Sequence, residues 1–280
     1  MRRRCFLATF AAAAVFGRGR VRATTVPLRI GLMPLSCPTT LLRYHQPLRS
    51  SLAAQLRRPV ELFSAPDLDG HFADIRRGEF DLVVTGPHFG AWAIANGYRP
   101  ILRYGATLRP VIVATPASGI RAPADLRNRV VALGGRLSVA AISGEAWMAS
   151  EGLRAGNDYV PRFAPTDDTA ILSVVTGEAD AAVTTNTALD GTPAGVRQHV
   201  VTIDGDATMP NLFTVANAAL SREEVVALRK ALLAFGRSAD GKAFLSRNGS
   251  RDYADITPDD LAAVEPLLDR LSGLMARDGA

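Results

Sequence analysis

The sequence has little cysteine: two in 280 residues, Cys5 and Cys37. That excludes a disulfide-stapled scaffold and any zinc site built on paired cysteines. It also lacks an apolar run of the ~20 residues that a bilayer-spanning helix needs. No Gly-x-Ser-x-Gly, no phosphate loop and no histidine spacing suited to a metal is present, and His45, His71 and His199 each stand alone. Nothing in the pattern carries catalysis, so neither an enzyme nor a cofactor or metal is expected.

Basic charge is also scarcer than it looks. The whole chain is at +5 with a pI near 9.7. Its first 23 residues, "MRRRCFLATFAAAAVFGRGRVRA", hold six arginines and no acid, so removing them takes +5 to −1. This segment has a basic start, a 12-residue apolar run from Cys5 to Phe16 and Val21-Arg22-Ala23 as a small-residue cleavage site, which reads as an export leader. Arg3-Arg4-Cys5-Phe6-Leu7 resembles a twin-arginine signal; an ordinary secretory leader with extra arginines is the alternative. The mature chain then gives no basic-patch case for nucleic acid. It keeps Cys37 alone, so no internal disulfide is possible and stability rests on the core.

What is present is a core. Apolar residues make up 48% and charged ones 21%, the globular range, and the length suits two lobes. Apolar strands alternate with amphipathic helices. Strands are expected at 28–32, 59–64, 80–85, 99–107, 110–115, 129–134, 159–163, 179–184, 199–204 and 212–217. Helices are expected at 39–56 (kinked or started late by Pro47), 67–77, 137–153 and 167–176. Two more close the chain, opened by the capping box Ser221–Glu224 and by Thr257-Pro258. "GEFDLVVT" (78–85) and "GEADAAVT" (177–184) repeat one unit: helix, Gly stop, buried strand, then Thr85 or Thr184. Alternation of this kind predicts an α/β fold with mostly parallel sheets, and the repeat predicts two similar lobes. Ligands in open α/β sheets sit beyond the strand carboxyl ends, so Thr85 and Thr184 are expected on opposite walls of one cleft. The expected division is a signal segment 1–23, a first lobe of 24–112 and 209–280, and a second of 113–208. The chain is expected to cross near 111–115 and 202–211.

From about Leu28 to Leu271 the chain resembles the phosphate/phosphite/phosphonate-type periplasmic substrate-binding proteins of ABC transporters. The resemblance is carried by "LRIGLMPLSCPTTLLRYHQPLRSSLAAQL", "FSAPDLDGHFADIRRGEFDLVVTGPHFGAWA", "ASGIRAPADLRNRVVALG" and "APTDDTAILSVVTGEADAAVTTNTAL". It implies a type II-like two-lobed binding protein with two crossover segments, hinge closure on a small solute, periplasmic location, a monomer, and an ABC permease as partner. A sensor that presents its solute to a membrane histidine kinase is the alternative. The resemblance also implies a phosphonate pocket with a Ser-Thr-Ser run at a helix start. Here that run is Leu137-Ser138-Val139. The pocket His falls on Asp167, one aromatic on Leu68, another on Leu108 or Arg109, one acid on Thr187, and the returning Asp near Leu212. The scaffold is kept while most polar contacts are replaced, so simple phosphonates are expected to bind weakly.

Each candidate residue has a plain reading beside the functional one. Cys37, after the first strand, can ligate a soft metalloid or be a small apolar residue. His88, after Thr85-Gly86-Pro87, can donate to an oxyanion or simply start a helix. Asp167 and Asp168 stabilise a helix N-terminus without any ligand, and one of them can be its cap; in the place of the pocket His, Asp167 opposes an anion and suits an amine or a metal. Arg109 and Arg136 can restore anion binding by bidentate contact or be surface arginines. Thr184-Thr185-Asn186-Thr187 offers short neutral donors and acceptors, suited to a neutral or zwitterionic ligand, or forms a turn.

Overall fold

The computed structural model describes residues 26–278, so the leader lies outside the described residues. In chain order the strands are β1 Leu28–Leu32, β2 Val60–Ser64, β3 Leu82–Thr85, β4 Arg99–Tyr104, β5 Thr107–Leu108, β6 Pro110–Ala114, β7 Val130–Leu133, β8 Val160–Phe163, β9 Ala181–Thr185, β10 Val201–Asp204, β11 Met209–Pro210, β12 Phe213–Ala216 and β13 Tyr253–Ala254. The helices are α1 Pro38–Tyr44, α2 Gln46–Leu56, α3 Leu68–Arg77, α4 Pro87–Ala95, α5 Val139–Ser150, α6 Asp167–Val175, α7 Asn186–Gly191, α8 Ala194–Arg197, α9 Arg222–Arg237, α10 Ala239–Ser246 and α11 Pro258–Asp278.

Local chemistry sets many of these boundaries. Asp67 caps α3 by accepting from the Gly70 N–H at 2.7 Å, and Gly78 ends it at φ 70°, the left-handed conformation that glycine adopts without a Cβ penalty. Thr166 caps α6, and Gly177 follows it at φ 77°. Ser221 and Glu224 form the reciprocal capping box. Pro47 lies in the first turn of α2, where its missing N–H costs nothing, so the single helix expected at 39–56 is two, separated at His45.

Two large sheets result. Their orders are β13-β4-β12-β3-β1-β2 and β10-β6-β9-β7-β8. The heart of each is a parallel triad, β2-β1-β3 and β8-β7-β9. The two triads share a register: Leu82 stands opposite Ile30 as Ala181 stands opposite Val131. Counting along β3 and β9 from these pairs brings Thr85 and Thr184 to the same step. The repeated segment at 78–85 and 177–184 therefore closes a repeated β-α-β-α-β unit. The sheets are mixed rather than mostly parallel, because β12 pairs antiparallel with β3 and β4, and β6 with β9 and β10. These strands enter directly from the crossings, with no helix to reverse them as a parallel connection needs.

Both crossings run through one short antiparallel ribbon, β5 with β11. The segment expected to cross, 111–115, instead falls largely in β6, a full strand of the second sheet. Asn186 fixes the ribbon to that sheet: its Oδ1 accepts from the Arg109 N–H at 3.0 Å and its Nδ2 donates to the Thr107 carbonyl at 3.1 Å.

Apolar side chains cover both faces of each sheet. One cluster does not respect the division. Leu137, Val139 and Ile142 of the second lobe pack with Phe72, Phe89 and Phe213 of the first. Among the described residues no helix is long and apolar enough to cross a membrane.

Candidate functional site

A cavity of about 180 Å³ lies between the sheets, at the carboxyl ends of their parallel strands. The first lobe supplies Met33 and Leu35 after β1, Gly86 after β3, and Arg247 and Asn248 after α10. The second supplies Asp167 and Asp168 at the start of α6, and Thr185, Thr187 and Ala188 at the β9–α7 junction. Leu108, Asn211 and Leu212 line it from the crossings. It adjoins a wider hollow of about 680 Å³ that shares Gly191, Arg247 and Asn248 and extends over Arg43, Tyr44 and Phe244.

Asp167 is the electrostatic centre. Part of the residue faces the cavity, but its Oδ1 is sealed from solvent with no hydrogen-bond partner. Burial pushes its pKa up to about 7, and the neighbouring Asp168 charge adds to the rise. Gly134 makes the seat, since a Cβ there would overlap Asp167 Oδ1. Neither aspartate caps the helix. Thr166 Oγ1 does, accepting from the Thr169 N–H at 3.2 Å. Asp168 is also raised by burial, opposed by the Thr192 hydroxyl.

The opposite wall is neutral except for Arg247. Its guanidinium lies 5.4 Å from the Tyr44 ring centroid, within cation–π range. Asn248 Nδ2 donates to the Tyr44 hydroxyl at 2.6 Å, while the Tyr44 hydroxyl donates to the Phe244 carbonyl. Arg247 and Asn248 escape sequence reasoning because "SRNGS" reads as an ordinary helix end; the only signal was a polar pair ahead of a left-handed glycine, Gly249.

Above the cavity the lobes touch directly. His88 Nε2 donates to the Leu137 carbonyl at 2.9 Å. Leu68, on α3, would lie 3.2 Å from a Cβ at Gly135. Ser138 is buried and its hydroxyl is used at home, accepting from the Ala141 N–H at 3.0 Å as the cap of α5. The helix start that would face an oxyanion thus presents two apolar side chains, Leu137 and Val139, into a shared core, and Val139 also lines the cavity.

The candidates sort by position. Asp167, Thr185 and Thr187 line the cavity together. Thr85 is one step deeper, its Oγ1 2.9 Å from His71 Nε2, and Thr184 is buried with an unpartnered Oγ1. It is their neighbours Gly86 and Thr185 that face the cavity. Leu68 and His88 belong to the lobe contact, Ser138 caps its own helix, and Asn186 belongs to the ribbon. Arg109 pairs with Asp204 at 3.3 Å and does not line the cavity. Arg136, half-buried, and Cys37, exposed, do not line it either. Cys37 Sγ lies 3.2 Å from Thr40 Oγ1, and that hydroxyl holds the thiol pKa below its ordinary value. Among the described residues no group of three or more His, Cys, Asp or Glu could hold a metal ion.

Two α/β lobes, a double crossing and a cavity at the strand ends define a two-lobed solute-binding protein. The sequence matches the family described as ABC transporter, phosphonate, periplasmic substrate-binding protein over residues 30–261, and the chain belongs to that family. It is a periplasmic transport family, not an enzyme family. The fold is shared with PhnD1 from Prochlorococcus marinus in complex with methylphosphonate, at TM-score 0.77 and 15% identity over 88% of this chain and 98% of that one. A binding protein component of an ABC phosphonate transporter from Pseudomonas aeruginosa gives TM-score 0.75 and 16% identity over 91% and 99%. A Xanthomonas citri protein bound to chloride ion gives 0.71 and 17% over 90% and 99%. Likeness at this identity concerns the fold alone.

Proposed function

We propose that this chain is the exported solute-binding component of an ABC-type uptake system, which closes its lobes over one small solute and hands it, as a monomer, to an inner-membrane permease. The observation that supports this is the cavity itself, walled by both lobes and roofed by contacts between them. The family favours transport over the histidine-kinase alternative. Export uses the leader, with the mature chain starting near Thr24; intact-mass measurement of the exported protein tests this, and retention of Met1 overturns it.

The solute is not a simple alkylphosphonate. The hydroxyl run is reduced to Ser138, which caps its own helix, and Asp167 replaces a donor with a like charge. A hydrogen bond to a charged group is worth about 1.5–3 kcal/mol. Losing two weakens binding by roughly 3–6 kcal/mol, or about two to four decades. Calorimetry with methylphosphonate, phosphite and phosphate on the mature protein tests this. A dissociation constant in the micromolar range or below for any of the three would overturn it.

A further inference from the structure

Asp167 is an acid with no internal task. The helix it opens is capped by Thr166. Among the described residues it forms no ion pair, and its sealed oxygen accepts no hydrogen bond. Yet Gly134 clears space for it. A carboxylate that faces a cavity with one oxygen sealed and unpartnered is costly, and is retained where something outside the chain supplies the partner. Three kinds of partner are conceivable: a metal, a neutral donor or a cation. A metal needs more ligands than the two neighbouring aspartates, and no larger cluster exists among the described residues. A neutral donor leaves the charge uncompensated next to Asp168.

The cavity is bipolar. Asp167 and Asp168 lie on the second lobe's wall and Arg247 on the first lobe's wall. Among the described residues Arg247 forms no ion pair, and its guanidinium lies against the Tyr44 ring. Thr185 and Thr187 line the space with short hydroxyls. At about 180 Å³ the cavity is small, below the roughly 300–1,000 Å³ of pockets for drug-sized ligands.

We propose that the cleft takes a small zwitterionic solute, with its ammonium seated on Asp167 and its acidic group turned toward Arg247. This rests on the solute-binding reading above and gives it a substrate class. Each lobe then holds one end of the solute, so neither lobe alone completes the site, and closure follows from occupancy of both ends.

Matched pairs that differ only by the amine test this: β-alanine against propionate, taurine against ethanesulfonate, and 2-aminoethylphosphonate against ethylphosphonate, each titrated calorimetrically into the mature protein. For at least one pair the amine-bearing member is expected to bind at least tenfold more tightly. Asp167→Asn should weaken that member by about ten- to a hundredfold, the worth of one charged hydrogen bond, and Asp168→Asn by less. Arg247→Gln should weaken it while leaving the preference for the amine intact. Equal affinity within every pair, or an Asp167→Asn variant that binds as well as the parent, overturns the ammonium assignment. So does native mass spectrometry of protein purified from its own periplasm, if the retained species has no basic nitrogen; solute binding itself would then stand. A protein that carries no retained species and binds no member of the panel would overturn the binding reading and this inference with it.

Discussion

His88 and Leu137 belong to different lobes, and the imidazole Nε2 of one donates to the backbone carbonyl of the other at 2.9 Å. His88 is fully buried. Burial lowers its pKa to about 4, against the raising effect of this same bond, so the ring is neutral at physiological pH and Nε2 carries its one proton. The bond exists only while the lobes are together. In an open form water can serve the Leu137 carbonyl. The loss in His88→Ala therefore falls on the closed form, by about 1–3 kcal/mol for an unsatisfied buried acceptor. Small-angle scattering should show a larger radius of gyration for this variant than for the parent, with the melting temperature changed less. Superimposable scattering curves would show that the bond does not hold the lobes.

Acid should loosen the fold through three buried histidines. His45, His71 and His88 are each held near a pKa of about 4, chiefly by burial, against about 6.5 when unfolded. The unfolded chain therefore takes up protons first. Stability is full above about pH 6.5 and is lost as pH falls toward 4. Urea midpoints measured between pH 7.5 and 4.5 should fall steadily. His45→Gln, which removes one of the three titrating rings, should reduce the slope by about a third.

Gly134→Ala isolates the seat of Asp167. A Cβ there overlaps the carboxylate, so either the side chain or the loop must move. Solute binding should fall at least tenfold. The double variant Gly134→Ala/Asp167→Ala should recover the melting temperature without recovering binding. Failure of the double variant to recover stability would place the strain in the backbone instead.

Sequence made the local devices legible. Asp67 with Gly78, Ser221 with Glu224, and the twin Thr85 and Thr184 steps all follow from residues within one turn or one strand. The rebuilt helix start at Leu137–Val139 was legible as lost hydroxyls. Its use as apolar packing against Phe72 and Phe89 was not, because that depends on how two lobes meet. Arg247 and Asn248 were missed for a similar reason. They come from the far end of the chain, folded back beside β1 by the packing of α9 and α10 on α2. The crossing was placed too late because β6 is a continuous apolar run, whereas the ribbon before it is two residues long and held by the side chain of Asn186.

Asp167 should act against the histidines. Its pKa is raised from 3.8 to about 7, so the folded protein holds its proton more tightly than the unfolded chain. The sign is the reverse of a paired carboxylate: stability from this group is full below about pH 4 and declines as pH rises toward 7. Three histidines outweigh one aspartate, so the parent still loses stability on acidification. The difference between parent and Asp167→Asn isolates the aspartate. Asparagine keeps the shape and carries no charge. Without solute, the variant should be more stable than the parent at pH 7.5, and the gap should shrink steadily on acidification and close only near pH 4. Adding a solute that supplies a cation should narrow the gap at pH 7.5, because the bound charge then compensates the carboxylate. Thermal unfolding of both proteins across this range, with and without β-alanine, measures all of it. A gap that stays constant with pH would mean that the carboxylate is as well solvated in the folded protein as in the unfolded chain, and a variant less stable than the parent at pH 7.5 would mean that Asp167 is already paired.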